Sequence, residues 1–369
     1  MSDYWSEKTR KLQPYVPGEQ PAKGKSGERK LIKLNTNENP YPPSPRVIEA
    51  IKNAAADSLR LYPDPTSLEL REAIAERYGL KASEVFPGNG SDEVLAFAFA
   101  AFFESGGEPV LFPYITYSFY PVYANLWNIP FTAIPLEEDF SINADPYTGK
   151  SGGIIFPNPN APTGLFLPLN DLRKMAEAAS RNKRVIAVDE AYIAFAEGED
   201  GKPASALTLL KEFPNLLVIR TLSKESSLAG LRAGFALGSE ELIEGLCRVK
   251  DSFNSYPMDR LAQAGAAAAI KDAVYYEEIN RRITATRRRV SSGLEALGFR
   301  VLPSRANFIF ASPPAEKNAP GFFAALRERG ILVRHFNKPR IVDFLRISMG
   351  TDEEMDIFLD ECREIISKQ

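Results

Sequence analysis

The stretch LLVIRTLSKESSLAGLRAGFALG, Leu216–Gly238, sets two short apolar runs, LLVIRT and AGFALG, around a polar turn that carries Lys224. Short apolar runs bounded by glycine and polar breaks read as buried strands. A lysine in such a break is ordinarily a solvated surface side chain. Its meaning therefore depends on what the rest of the chain brings to the same edge.

Working outward, five further runs have the same character: EVFPG, PVLFP, IPFTAIP, GGIIFP and RVIAVD. Helical patterns such as DEVLAFAFAAFF and LNDLRKMAEAAS lie between several of them. Strands interleaved with helices predict an α/β fold, with a large domain built on a mainly parallel sheet sandwiched by helices. In such sheets ligands bind beyond the carboxyl ends of the strands, so the residues just after each run are where chemistry is sought. After about residue 240 the pattern changes to long helical runs, ELIEGLCRVK and AVYYEEINRRITATRRRVSSGLEAL, which read as a bridge out of the first domain. FRVLP, NFIFAS, ILVRHF and FLRISMG, with the helix GFFAALRERG, then predict a smaller α+β domain. The glycine- and proline-rich start, PYVPGEQPAKGKSGERK, reads as an extended arm. Within it GEQPAKGKS resembles a P-loop, but five residues separate Gly18 from Gly24 where that motif has four, and no apolar strand precedes it.

Composition narrows the classes of function. The chain has 369 residues, 44% hydrophobic and 25% charged, with a net charge of -3. That balance is of the ordinary globular kind and shows no bulk excess of positive charge for nucleic acid, which points to a small-molecule partner. Cys247 and Cys362 form no CxxC, so no metal site is expected from them, and a reducing cytoplasmic setting fits. No apolar run is long enough for a membrane span, and MSDYWSEKTRK lacks the apolar core of a signal peptide. The single histidine, His335, has no partner motif for a triad or a multi-histidine metal centre and reads as structural or substrate-edge.

The strand ends supply the rest. NGSDE follows the first run, and Ser91 and Asp92 open a helix whose free amides suit a phosphate. YITYSFY can wall a planar ligand, and PNPNAPTG fixes a loop suited to a cis peptide. RVIAVD ends in Asp189, a carboxylate that burial would oblige to find a cation or donor. LLVIRT ends in LSKESSLAGLR, which puts Lys224 on the same edge with Arg232 close behind. Pyridoxal 5'-phosphate uses all of these at once: a lysine amine for its aldehyde, an acid for its ring nitrogen, and helix amides with an arginine for its phosphate.

Those motifs resemble the fold-type I, class I/II pyridoxal-phosphate aminotransferases. PYVPG and LNTNENPYPPSP, with YPDP, GNGSDE, TYSFY, PNPNAPTG, VDEAY, TLSK...LAGLR and LRISMGT, bring the chain nearest to the histidinol-phosphate aminotransferase subfamily. The resemblance implies an arm over 1–30, a large cofactor domain over 59–269, and a small domain from 31–58 with 270–369. It implies Lys224 as the Schiff-base lysine and proton shuttle, Asp189 on the pyridinium nitrogen, and Tyr192, with Asn160 as a second donor, on the phenolic oxygen. Tyr117 is implied to stack on the ring, while Gly90, Ser91, Asp92, Ser223 and Arg232 hold the phosphate. Tyr62 is implied to reach the phosphate in a neighbouring subunit, hence a homodimer with shared sites. For substrate it implies Arg346 and Arg334 as anion grips, with Tyr15 and Asn37 beside them.

The implied reaction passes the amine of L-histidinol phosphate to the cofactor and then to 2-oxoglutarate, giving imidazole acetol phosphate and glutamate in histidine biosynthesis. Two positions depart from the pattern. Ala161 stands where many relatives carry asparagine, leaving Asn160 one residue early, and Glu225 follows the lysine as an anion expected to favour the protonated imine. The same cofactor cage serves an aromatic aminotransferase or a threonine-phosphate decarboxylase. A non-catalytic ligand sensor on this fold would show a damaged cage, whereas Lys224, Asp189 and Arg232 are all in place.

Overall fold

The computed structural model describes residues 3–15, 18–19, 31–198 and 204–367. Its centre is a seven-stranded sheet, and all seven runs read from sequence lie in it. The spatial order is Val85–Gly88, Gly234–Leu237, Leu216–Thr221, Ile186–Asp189, Gly153–Pro157, Val110–Pro113, Phe131–Ile134. Only Gly234–Leu237 runs antiparallel to its neighbours. Successive side chains of a strand point to opposite faces, and here both faces are covered, which is why the strands are apolar throughout. Leu216 and Val218 pack on one face with Met175 of helix Leu169–Arg181 and Ala266 of helix Arg260–Lys271. Leu217 and Ile219 pack on the other with Phe97 of helix Ser91–Phe102 and Leu246 of helix Glu240–Phe253.

Helix Ala273–Ala296 carries the chain to a four-stranded antiparallel sheet ordered Arg334–His335, Leu345–Ser348, Phe308–Ser312, Arg300–Val301. Phe308, Ile347, Phe322 and Phe358 form the centre of its core. ILVRHF, read as one strand, is two: Ile331–Leu332 pairs in parallel with Ile32–Lys33, and Arg334–His335 joins the larger sheet, because the two halves meet different partners.

Two features differ from the sequence reading. Helix Arg260–Lys271, RLAQAGAAAAIK, was not among the predicted elements. Its small residues are a packing requirement: a Cβ on Gly265 would sit 2.7 Å from Leu231 and 3.0 Å from Ile51. The second difference follows from that contact. Helix Pro45–Ala54, placed with the small domain from sequence, lies along Arg260–Lys271, and its Val47 belongs to the core beneath the seven-stranded sheet. The loop PNPNAPTG contains cis peptides at Asn158–Pro159 and Ala161–Pro162. Most of GEQPAKGKS lies outside the described residues. Among the described residues no helix is long and apolar enough to cross a membrane.

Candidate active site

The carboxyl ends of Ile186–Asp189 and Leu216–Thr221 meet the start of helix Ser91–Phe102 around a cavity of about 240 Å³. That helix begins at Gly90, in the left-handed region at φ 85, with no side chain capping its first amides. Those amides are left for a ligand. Glycine is required twice. A Cβ on Gly90 would sit 2.5 Å from Arg232 Nη2, and one on Gly234 would sit 2.4 Å from the Ser91 nitrogen. Arg232 donates through Nη2 to Asp92 Oδ2 at 3.3 Å and through Nη1 to Ser223 Oγ at 3.3 Å. Ser91, Asp92, Ser223 and Arg232 thus face one end of the cavity together, with Gly90 behind them.

The other end is held by Asp189, which is buried at the strand terminus. It accepts from the Tyr120 hydroxyl at 3.1 Å and from the Ala191 amide at 3.1 Å. Two neutral donors do not offset the loss of water, and burial pushes its carboxyl up to about 7. Tyr117 lines the wall and donates to Asp92 Oδ1 at 2.7 Å. Tyr192 Oη accepts from Asn37 Nδ2 at 2.9 Å, which leaves the tyrosine's own proton free to be donated. Lys224 sits in the one-turn helix Leu222–Glu225 and donates to the Thr36 carbonyl at 3.0 Å. Burial pulls its ammonium down to about 8, Arg346 adds to the fall, and Glu38 and Asp92 oppose it.

A second cavity of about 160 Å³ adjoins the first and shares Thr36, Tyr117, Ala161, Tyr192 and Lys224 with it. Tyr15, Asn37, Arg334 and Arg346 all line it. Arg334 and Arg346 are direct cross-strand partners. Like charges so placed repel. Arg346 lies over the rings of Phe308 and Phe336, donates through Nη2 to the Asn35 carbonyl at 3.0 Å, and has a buried Nε with no partner. Burial, with Arg334 adding to it, holds the Arg346 guanidinium below its usual range.

Four positions fall elsewhere than the sequence suggested or outside this cavity. Asn160 lines neither chamber: its amide is spent on the Ile115 carbonyl and Thr163 Oγ1, both at 3.0 Å, which brace the proline loop, and Ala161 faces the cavity instead. Glu225 points away from Lys224 into a separate cavity with Arg77 and Arg220, so it is not an anion beside the amine. Tyr62 lies 79% exposed, stacked on Tyr256 with ring centroids 4.7 Å apart, outside the cavity of its own chain. His335 Nε2 bonds the Val342 carbonyl at 2.7 Å and lines neither chamber.

Sequence reasoning missed Tyr120, Glu38, Thr36 and Phe336. Tyr120 was visible within TYSFY, but only the register of the helix start tells which tyrosine reaches Asp189. Glu38 and Thr36 lay in the quoted LNTNENP without an assigned task.

The donor set fits pyridoxal phosphate. Uncapped helix amides with Arg232 stand at one end, an under-satisfied buried carboxyl at the other, and a lysine of lowered basicity between them. Comparison with known proteins agrees. Residues 29–361 match the family model of aminotransferase class I and II. A histidinol-phosphate aminotransferase of Clostridium acetobutylicum is 54% identical over 367 residues, covering 100% of both chains. One of Acetobacter pasteurianus is 51% identical, covering 99% of each. Among solved structures, a histidinol-phosphate aminotransferase from Sinorhizobium meliloti in complex with pyridoxal-5'-phosphate superposes with a TM-score of 0.84 at 25% identity, over 99% of this chain and 98% of that one.

Proposed function

The chain belongs to the histidinol-phosphate aminotransferases within aminotransferase class I and II, and from that membership and the paired arginines we propose that it exchanges an amino group between L-histidinol phosphate and 2-oxoglutarate, as a step of histidine biosynthesis. The observation that carries the substrate class is the facing of Arg334 and Arg346 across one strand pair at the mouth of the Lys224 cavity. Two guanidinium groups with no carboxylate between them among the described residues are stabilised by an anion, and bidentate recognition suits a phosphate ester in one half-reaction and the carboxylates of glutamate in the other.

Pyridoxal phosphate, bound through Lys224, supplies the electron sink for the pair of electrons left when the substrate carbon loses its proton. The protein's own groups do the rest. The amides at Ser91, with Ser223 and Arg232, hold the phosphate end. Asp189 would hold a proton on the ring nitrogen, and a cation there would draw its carboxyl back toward the ionised form. Tyr192 donates to the phenolic oxygen, and Tyr117 walls the ring. Lys224 Nζ would be the base that takes the proton from the substrate's nitrogen-bearing carbon. Its lowered basicity keeps a working fraction neutral near pH 7. Tyr15 and Asn37 close the outer chamber beside the arginines. Tyr62 and the exposed Leu59, Leu61 and Phe253 are apolar side chains that a second copy of the chain would cover, which supports a homodimer whose Tyr62 serves the partner's site.

The test is a half-reaction. The holoenzyme is mixed separately with L-histidinol phosphate, L-threonine phosphate and phenylalanine, following the bound cofactor's absorption and the product released. Rapid amino transfer from histidinol phosphate, and its loss by at least about a thousandfold in a folded Lys224→Ala variant, are expected. Faster turnover of either other donor overturns the substrate, and normal turnover by Lys224→Ala overturns the chemistry.

A further inference from the structure

Segment Lys33–Asn39 grips Lys224 at both ends. The Thr36 carbonyl accepts from Lys224 Nζ at 3.0 Å, and Asn39 Nδ2 donates to the Lys224 backbone carbonyl at 3.0 Å. The segment is tied to the small domain by the pairing of Ile32–Lys33 with Ile331–Leu332, and by the Asn37 amide donating to Ser348 Oγ at 2.8 Å. Inside the turn, Glu38 is held by an ion pair with Lys33 and accepts from Thr36 Oγ1 at 2.8 Å, while Lys33 also reaches Thr36 Oγ1. The residue that presents its carbonyl to the lysine is thus the one whose side chain is fixed by the Lys33–Glu38 pair.

We propose that Glu38 is a positioning residue for Lys224: it locks Thr36 so that its carbonyl meets the amine, and it presents a carboxylate to that amine from the small-domain side. Four charged groups bear most strongly on Lys224. Arg346 and Arg232 disfavour its ammonium form, and Glu38 and Asp92 favour it. Asp189, Tyr117 and Tyr192 line the same cavity. Asp92 is committed to Arg232 and the Tyr117 hydroxyl at the phosphate end, whereas Glu38 has no other task in the site. Because Lys33 lies in the strand paired with Ile331–Leu332, the charge state of the lysine is coupled to the seating of the small domain.

The proposal rests on the reading of Lys224 as the reactive amine, but its test needs no cofactor and fails independently of that reading. Apoprotein is treated with acetic anhydride across pH 6–10 (roughly the span that brackets a lysine so lowered), and acetylation of the Lys224 peptide is quantified by mass spectrometry. Glu38→Gln is expected to lower the midpoint, giving roughly two- to fivefold more modified Lys224 at pH 7. Lys33→Met leaves the Glu38 carboxylate without its own cation and is expected to move the midpoint the other way. Glu38→Asp, which keeps the charge, is expected to fall between wild type and Glu38→Gln. An unchanged midpoint in folded Glu38→Gln, even with activity lost, reduces Glu38 to a structural residue and overturns the proposal. If Glu38→Gln does not fold, a Lys33→Met midpoint that stays put or falls overturns it equally.

Discussion

The one-turn helix Leu222–Glu225 separates two cavities, and the two sides treat charge differently. On the far side, around a chamber of about 750 Å³, Glu190 accepts from Arg220 Nη2 at 2.9 Å and Nε at 3.1 Å, and from the Ala206 amide at 2.7 Å. Arg220 in turn donates to the Tyr78 hydroxyl at 3.0 Å and lies over that ring. On the near side Asp189 has two neutral donors, Lys224 a single carbonyl, and Arg346 Nε nothing. Both regions bury charge. The far side pairs Glu190 with Arg220 from within the chain, as a framework must, and the near side leaves charges to be answered by a ligand.

Breaking the far side is expected to cost folding rather than chemistry. Glu190→Ala strands Arg220 in the interior, and removal of one member of a buried pair destabilises by about 3–5 kcal/mol. Urea unfolding of the apoprotein should show this loss, while turnover per folded molecule stays within about twofold of wild type. A variant of normal stability with lost turnover would erase the distinction between the two sides.

On the near side the same kind of change should have the opposite sign. The raised carboxyl of Asp189 means the folded apoprotein holds a proton that the unfolded chain releases near pH 4. Its contribution is present below about pH 4 and is lost as pH rises through about 7. Asp189→Asn removes that penalty, so the apo variant is expected to be more stable than wild type by roughly 1–3 kcal/mol at pH 8. The gap should close toward pH 4, and cofactor affinity should fall. Unfolding curves for both proteins at pH 4 and pH 8 measure it. A gap independent of pH would mean that burial does not hold the Asp189 proton.

The difference between the sides also decides what was legible in the sequence. The seven strands of the central sheet were readable because both faces are buried, which gives short continuous apolar runs, and Asp189 and Lys224 were readable because they end two of those runs. Side-chain direction within a turn was not. Glu225 follows Lys224 directly yet faces the opposite chamber, since adjacent residues in a helical turn diverge by about 100°. Asn160 was misplaced for a related reason: its amide donates to the Ile115 carbonyl and Thr163 Oγ1 inside the loop, and its neighbour Ala161 lines the cavity. Glu38 was hidden because its partners, Lys33 and Thr36, are local, so nothing in the residue pattern connects it with a lysine nearly two hundred positions on. The seating of Val47 beneath the large sheet depends on the close fit of helix Pro45–Ala54 against an alanine-rich helix distant in sequence, a contact that no local pattern announces.

Glu225 gives the smallest predicted effect and the sharpest control on the comparison. Its carboxyl is held above the usual carboxylate range by burial, with Arg220 and Arg77 drawing it back. It is not among the largest influences on Lys224, which are burial, Arg346, Glu38, Asp92 and Arg232, although the two residues are neighbours in sequence. Glu225→Gln therefore removes a group from the far chamber alone, and the acetylation midpoint of Lys224 is expected to stay within about 0.2 pH units of wild type, against the clear fall expected for Glu38→Gln. If Glu225→Gln shifts the midpoint as much as Glu38→Gln, the one-turn helix does not screen the two chambers from each other, and sequence adjacency rather than facing geometry sets the charge of the lysine. If only Glu38→Gln shifts it, an anion distant in sequence but tied through Thr36 outweighs the one peptide-bonded to Lys224.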